Sequence, residues 1–215
     1  MPVSSMAVDA SQDPISACLC SGLAELVEVA GRDESELALW NRAISAQSAA
    51  DFAALDLSHF EDIRLHGSGV TLLAELGQRL VSLQWPRNAV EQVLEDVRQI
   101  IDASACWPPR YTLRMECVSD DACREFHKDR TDMRIITTYR GPGTQWIDAA
   151  SPDTEPLIHQ FAPFSVGAFL GQRDDRRQRI FHRSPPIASS PVSRLVLVMD
   201  IERPGWKSCS LKGLV

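Results

Sequence analysis

The stretch Cys123-Arg124-Glu125-Phe126-His127-Lys128-Asp129 carries an imidazole and a carboxylate two residues apart. In an extended strand, side chains at i and i+2 point to the same face, so His127 and Asp129 can hold one metal ion from one side. Alone, the pattern also fits a salt-bridged surface pair. A second histidine gives it weight. His182 comes 53 residues after Asp129, behind Arg179-Ile180-Phe181, which has the composition of a strand. Two imidazoles and one carboxylate on adjacent strands form a facial set that leaves coordination positions open, which suits non-haem Fe(II). Zinc accepts the same donors. Arg194 comes 12 residues after His182 and begins the apolar run Leu195-Val196-Leu197-Val198-Met199-Asp200. A guanidinium there can clamp the distal carboxylate of a metal-chelated 2-oxo acid. The competing reading is an ordinary strand-end arginine paired with Asp200 or Glu202.

Working outward, the chain reads as two halves. After Cys106-Trp107-Pro108-Pro109 the hydrophobic period is two, with Tyr111, Leu113, Met115 and Cys117 alternating with Thr112, Arg114 and Glu116. Ile135–Tyr139, Thr144–Ile147, Val166–Leu170, Arg179–His182 and Leu195–Asp200 are further strand candidates. Seven or eight short strands with Gly and Pro turns indicate a sandwich or barrel. Before residue 106 the period is helical, at Leu23, Leu26, Val27 and Ala30, then at Leu72, Leu73, Leu76, Leu80 and Leu83, then from Val90 to Ile101. Asp33-Glu34-Ser35-Glu36 resembles an acidic first helical turn leading into Leu37, Trp40, Ala43 and Ile44. The expected organisation is therefore a polar tail at 1–14, a helical region at 15–106 and a β domain at 107–215. The Arg173–Arg179 segment reads as a solvated charged loop.

Charge and cysteine content narrow the function classes. The 215 residues carry a net charge of −7, and the first 106 residues hold 16 acids, 6 arginines and no lysine. That half is a poor nucleic-acid surface. The remainder holds 16 bases against 13 acids, which suits an anionic small molecule. No apolar run approaches the ~20 residues of a membrane-spanning helix. The first 25 residues carry no Lys or Arg to begin a secretory signal, so the expected compartment is the cytoplasm. The six cysteines are then expected as buried thiols rather than disulfides. Cys106, Cys117 and Cys123 with His127 offer an alternative Cys₃His zinc site, although paired knuckles are missing. Cys123 with His127 lacks the orienting group of a nucleophilic pair. His59, His66 and His159 have no partner at ligand spacing and read as structural.

The order HxD, His, Arg on the final strand resembles the double-stranded β-helix fold of the Fe(II)/2-oxoglutarate oxygenases. A closer resemblance rests on three blocks: the FHKD stretch, Thr138-Tyr139-Arg140-Gly141-Pro142-Gly143-Thr144-Gln145-Trp146, and His182-Arg183-Ser184-Pro185-Pro186. These look like the signature blocks of a bacterial family known only as a domain of unknown function. That resemblance implies metal handling, through an association with zinc-responsive genes. Relatives carry a Lys-Gly pair where this chain has Leu170-Gly171-Gln172-Arg173.

Together these features imply an α+β protein, a helical region packed on a jelly-roll or cupin-like double-stranded β-helix. The resemblance implies an Fe(II)- and 2-oxoglutarate-dependent hydroxylase. His127, Asp129 and His182 would be the metal ligands, and Arg194 would bind the small-molecule co-substrate. Tyr139 is expected beside it, in a supporting catalytic role or as a buried core aromatic. A non-enzymatic zinc protein on the same fold is the alternative. The Gly141-Pro142-Gly143 turn is expected to bring backbone close to the site.

Overall fold

In the computed structural model, residues 17–31, 35–105, 110–149, 155–172, 177–189 and 191–202 are described. The expected tail at 1–14, Cys106 and most of the Arg173–Arg179 loop lie outside them. β4 (Arg110–Val118), whose apolar and polar residues alternate, pairs with β10 (Arg194–Glu202), and β10 pairs with β5 (Met133–Arg140). β8 (Val166–Leu170) lies beyond β5, and all three pairings are antiparallel. A second, smaller sheet holds β6 (Gln145–Asp148) between β7 (His159–Gln160) and β9 (Ile180–Arg183).

The first half differs from the expected helical region. Four helices are present: α1 (Leu23–Ala30), α2 (Ala46–Ala54), α3 (Gly69–Ser82) and α4 (Arg87–Ser104). Three strands lie between them: β1 (Ala17–Leu19), β2 (Leu37–Trp40) and β3 (Ile63–Gly67). All three enter the large sheet, whose order is β1-β2-β8-β5-β10-β4-β3. The expected helix from Asp33 through Ile44 is therefore a correction. Leu37, Ala38 and Leu39 are buried from both sides, and a strand buried on both faces shows no alternation. Its apolar residues then mimic a helical stripe.

Each face of the large sheet has its own core. On one face, Leu113, Met115, Ile135, Ala168 and Leu197 pack with the buried stripes of the helices. On the other, Leu37, Ile136, Phe169, Val196 and Val198 pack with Phe161 and with Ile180 of the small sheet. The second core separates two sheets, as in a sandwich. No described helix is long and apolar enough to cross a membrane.

Candidate metal centre

His127, Asp129 and His182 converge at one end of the space between the sheets. One ligand atom from each lies within 4.8 Å of the others, and no other such group of three His, Cys, Asp or Glu is found among the described residues. His182 lies in β9. His127 meets it through an isolated antiparallel bridge, each backbone N–H donating to the other's carbonyl at 3.0 Å. His127 Nδ1 donates to the Glu125 carbonyl at 2.8 Å, which turns the Nε2 lone pair inward. His182 packs on Phe169, with ring centroids 4.3 Å apart. Burial lowers its pKa and outweighs the opposing pull of Asp129, so the ring is held neutral, the form that ligates a metal.

Asp129 supplies the carboxylate. Burial alone would raise its pKa, but His182, Arg134 and His127 together bring it below the usual carboxylate value. Arg134 Nη1 donates to Oδ1, and the same guanidinium makes two bonds to Asp200 at 2.6 and 2.8 Å. Oδ2 is buried and has no hydrogen-bond partner of proper geometry, although His182 Nε2 lies 3.1 Å away. A buried acceptor without a donor is costly in an apoprotein, and a bound cation satisfies it. Two imidazoles and this oxygen therefore fit a divalent metal of the borderline class.

Arg194 faces the same cavity, which encloses about 270 Å³ and is lined by His127, His182, Thr144, Ser184 and Val196 among others. Its residue exposure is 1%. Nε donates to the Pro142 carbonyl at 2.7 Å and Nη1 to Ser184 Oγ at 2.7 Å. Nη2 lies 3.3 Å from both Thr138 Oγ1 and Thr144 Oγ1. No carboxylate among the described residues pairs with it, so neither Asp200 nor Glu202 is its partner. Burial brings its pKa down to about 10. The glycine turn serves this side chain. Gly141 has φ +82°, and a Cβ there would meet the Ser193 carbonyl oxygen at 2.7 Å and Arg194 Cγ at 3.0 Å.

The structure does not bring Tyr139 to the cavity and places it in the other expected position, as a buried core aromatic. A register shift in the β5–β10 pairing skips Tyr139, since Val196 faces Thr138 and Leu195 faces Arg140. Thr138 reaches Arg194, while Tyr139 points to the helices. Its hydroxyl donates to Asp96 Oδ2 of α4 at 2.6 Å, and its ring stacks on Phe52 at 4.7 Å. Burial first, then the Asp96 charge, raises its pKa well above the ordinary value.

Other expectations resolve simply. Cys117 is half-buried and Cys123 is exposed, and neither joins a metal-ligand group among the described residues. His66 Nδ1 bonds Thr112 Oγ1 at 2.9 Å, and His159 stacks on Trp146 at 4.2 Å. Sequence reasoning missed Arg134, Thr138, Thr144 and Ser184. Thr138, Thr144 and Ser184 stand inside the TYRGPGT and HRSPP blocks, so proximity to the expected ligands was the available signal.

The fold class and the family follow from comparison with known proteins. The chain is similar in fold to dioxygenase for auxin oxidation 1 from Arabidopsis thaliana in its complex with 2-oxoglutarate. The TM-score is 0.50 at 12% identity, covering 88% of this chain and 93% of that one. The rice dioxygenase for auxin oxidation gives 0.47 at 12% identity, with 89% and 86% covered. A prolyl-4-hydroxylase from Pseudomonas putida gives 0.43 at 13%, with 86% and 100% covered. The fold is thus of the class found in 2-oxoglutarate oxygenases, the double-stranded β-helix. The chain belongs to the family described as "Protein of unknown function (DUF1826)", whose model matches residues 23–200. No curated protein matches it.

Proposed function

We propose that the protein is an Fe(II)- and 2-oxoglutarate-dependent oxygenase, with His127, Asp129 and His182 as metal ligands and Arg194 as the anchor of the co-substrate. The observation that carries this reading is Arg194, a buried guanidinium with no carboxylate partner among the described residues, facing the cavity that His127 and His182 also line. A site that only stores or delivers zinc has no use for such a cation. A dicarboxylate that chelates the metal at one end has a second carboxylate to offer it.

Bound iron and 2-oxoglutarate supply the oxidative power, through O₂-dependent decarboxylation of the 2-oxo acid coupled to hydroxylation of a C–H bond. The chain contributes geometry. Arg134 occupies Asp129 Oδ1 and leaves Oδ2 for the metal. The Glu125 carbonyl fixes the His127 tautomer. Pro142, Ser184, Thr138 and Thr144 aim the guanidinium of Arg194 before any ligand arrives. Ile136, Val196 and Val198 give the cavity an apolar wall.

Anaerobic titration of the metal-free protein with Fe(II) and then 2-oxoglutarate tests this reading. A visible metal-to-ligand charge-transfer band is expected in the wild type. Arg194→Ala should weaken 2-oxoglutarate binding by roughly a hundredfold or more, since truncating one side of a buried charge pair costs 2–5 kcal/mol. Metal affinity should stay nearly intact. No band, with tight zinc binding lost on His127→Ala, would sink the 2-oxoglutarate reading and leave a metal-binding protein.

A further inference from the structure

The three ligands are not held by a continuous strand ladder. His127 makes only an isolated bridge to His182, and Lys128 and Asp129 follow outside any strand. Beyond the Gln172 N–H bond to the Asp129 carbonyl at 2.7 Å, a further tie sets the 127–129 segment against β9. The first half of the chain supplies it. Glu36, one residue before β2, is 7% exposed as a residue. Its carboxylate accepts the Arg179 N–H at 3.1 Å on both oxygens and the Ile180 N–H at 3.2 Å. The same carboxylate takes the ammonium of Lys128, whose side chain is 7% exposed. Its own backbone is pinned, because the Glu36 carbonyl accepts the Leu170 N–H at 3.0 Å.

One carboxylate therefore ties the residue between His127 and Asp129 to the start of the strand that carries His182. The sequence separations are 92 residues to Lys128, 143 to Arg179 and 144 to Ile180. We infer that Glu36 is a positioning residue for the metal centre, clamping both ligand-bearing segments at the spacing a metal requires. This rests on the metal-ligand reading proposed above. A buried ion pair is a poor source of net stability compared with apolar packing, and its best-attested use is to fix register. The clamp joins two segments whose backbone pairing is one bridge at His127 and His182 and one bond from the Ser184 N–H to the Cys123 carbonyl at 2.9 Å, where register is weakly set.

The test uses Co(II) as the probe on the full-length, metal-free protein, with Glu36→Gln as the variant. Gln keeps one carbonyl acceptor for the amides but loses the ion pair. Co(II) affinity is expected to fall ten- to a hundredfold, the range for partners that orient a metal's ligands. Its ligand-field spectrum should change shape, which a general loss of stability would not produce. Amide exchange at Arg179 and Ile180 should speed up at least tenfold in the metal-free variant. Tyr139→Phe, which loosens the opposite face of the sheet, serves as the control and should leave Co(II) affinity within twofold. If Glu36→Gln does not fold, Lys128→Met breaks the same pair from the other side and is expected to weaken Co(II) likewise. A folded Glu36→Gln or Lys128→Met variant with wild-type affinity and spectrum overturns the inference while the metal site stands. A wild type that binds no Co(II) overturns the metal-ligand reading, and the inference falls with it.

Discussion

Two arginines lie buried against opposite faces of the large sheet, and their surroundings differ in one respect. Arg42, on the helix side, makes two bonds of 2.5 Å to the Asp96 carboxylate, and its Nε donates to the Phe164 carbonyl at 2.9 Å. Burial works against its charge, but the Asp96 bonds and charge outweigh it, and the pKa rises. Arg194, on the cavity side, has carbonyl and hydroxyl acceptors and no carboxylate among the described residues. Its pKa falls to about 10. The folded value lies below the unfolded one, so the burial cost of the charge is present at neutral pH and is relieved as pH rises through about 10. That cost is about 3 kcal/mol. An arginine that serves packing brings its counterion with it. One that lacks a counterion is complete only with a ligand.

The largest expected effect tests that distinction directly. Arg42→Met strands the buried Asp96 carboxylate and should lower unfolding free energy by about 3–5 kcal/mol. Arg194→Met strands no charge and should stay within about 1 kcal/mol of wild type, because removing an unpaired buried cation offsets the hydrogen bonds lost. Urea unfolding of the ligand-free variants measures both. Equal losses would break the comparison and return Arg194 to an ordinary structural role.

A second, smaller effect separates the two faces by ligand rather than by stability. Tyr139→Phe removes the 2.6 Å hydroxyl bond to Asp96 and nothing on the cavity side. It should cost about 1.5–3 kcal/mol of stability, as for a hydrogen bond to a charged group. Affinity for 2-oxoglutarate, measured by calorimetry on the Fe(II)-loaded protein without O₂, should not change. A tenfold loss of affinity at unchanged metal binding would place Tyr139 back in the site.

After residue 107 the alternation of β4 was legible, and short apolar and β-branched runs bounded by Gly and Pro marked other strands, β8 among them although all five of its residues are buried. Val166–Leu170 matches β8 at both ends, and Thr144–Ile147 misses β6 by one residue. The convergence of His127, Asp129 and His182 was legible for a related reason, since strand geometry makes i and i+2 neighbours and an antiparallel bridge brings His182 opposite. Leu37–Trp40 was not legible. A four-residue strand buried on both faces carries no period, and the acids before it imitate a helix start. Glu36 was misread with it, as a helical first-turn acid, whereas it turns inward. Tyr139 was misplaced because its nearness in sequence to the expected ligands was weighed above its place in the alternation of β5, where it shares the helix-facing side with Met133 and Ile135. Parity along β5 puts Thr138, not Tyr139, against Arg194.

The smallest effect sharpens the comparison from within the cavity. If Arg194 is held ready for a ligand, the groups that aim it should matter more for binding than for folding. Ser184 Oγ accepts from Nη1 at 2.7 Å and lies in the HRSPP block just past β9. Ser184→Ala removes one acceptor beside an open cavity, where water can replace it. Stability should therefore move by no more than about 0.5 kcal/mol. Affinity for 2-oxoglutarate should weaken roughly three- to tenfold, the equivalent of one hydrogen bond of about 1 kcal/mol. Arg42 offers the contrast, because every group that aims it also holds the fold. Unchanged or tighter binding in Ser184→Ala would show that the Pro142 carbonyl and the two threonines set the guanidinium alone. The Gly141-Pro142-Gly143 turn would then be the whole of the cradle, and substitutions at Gly141, where a Cβ meets the Arg194 backbone at 3.2 Å, would become the sharper probe.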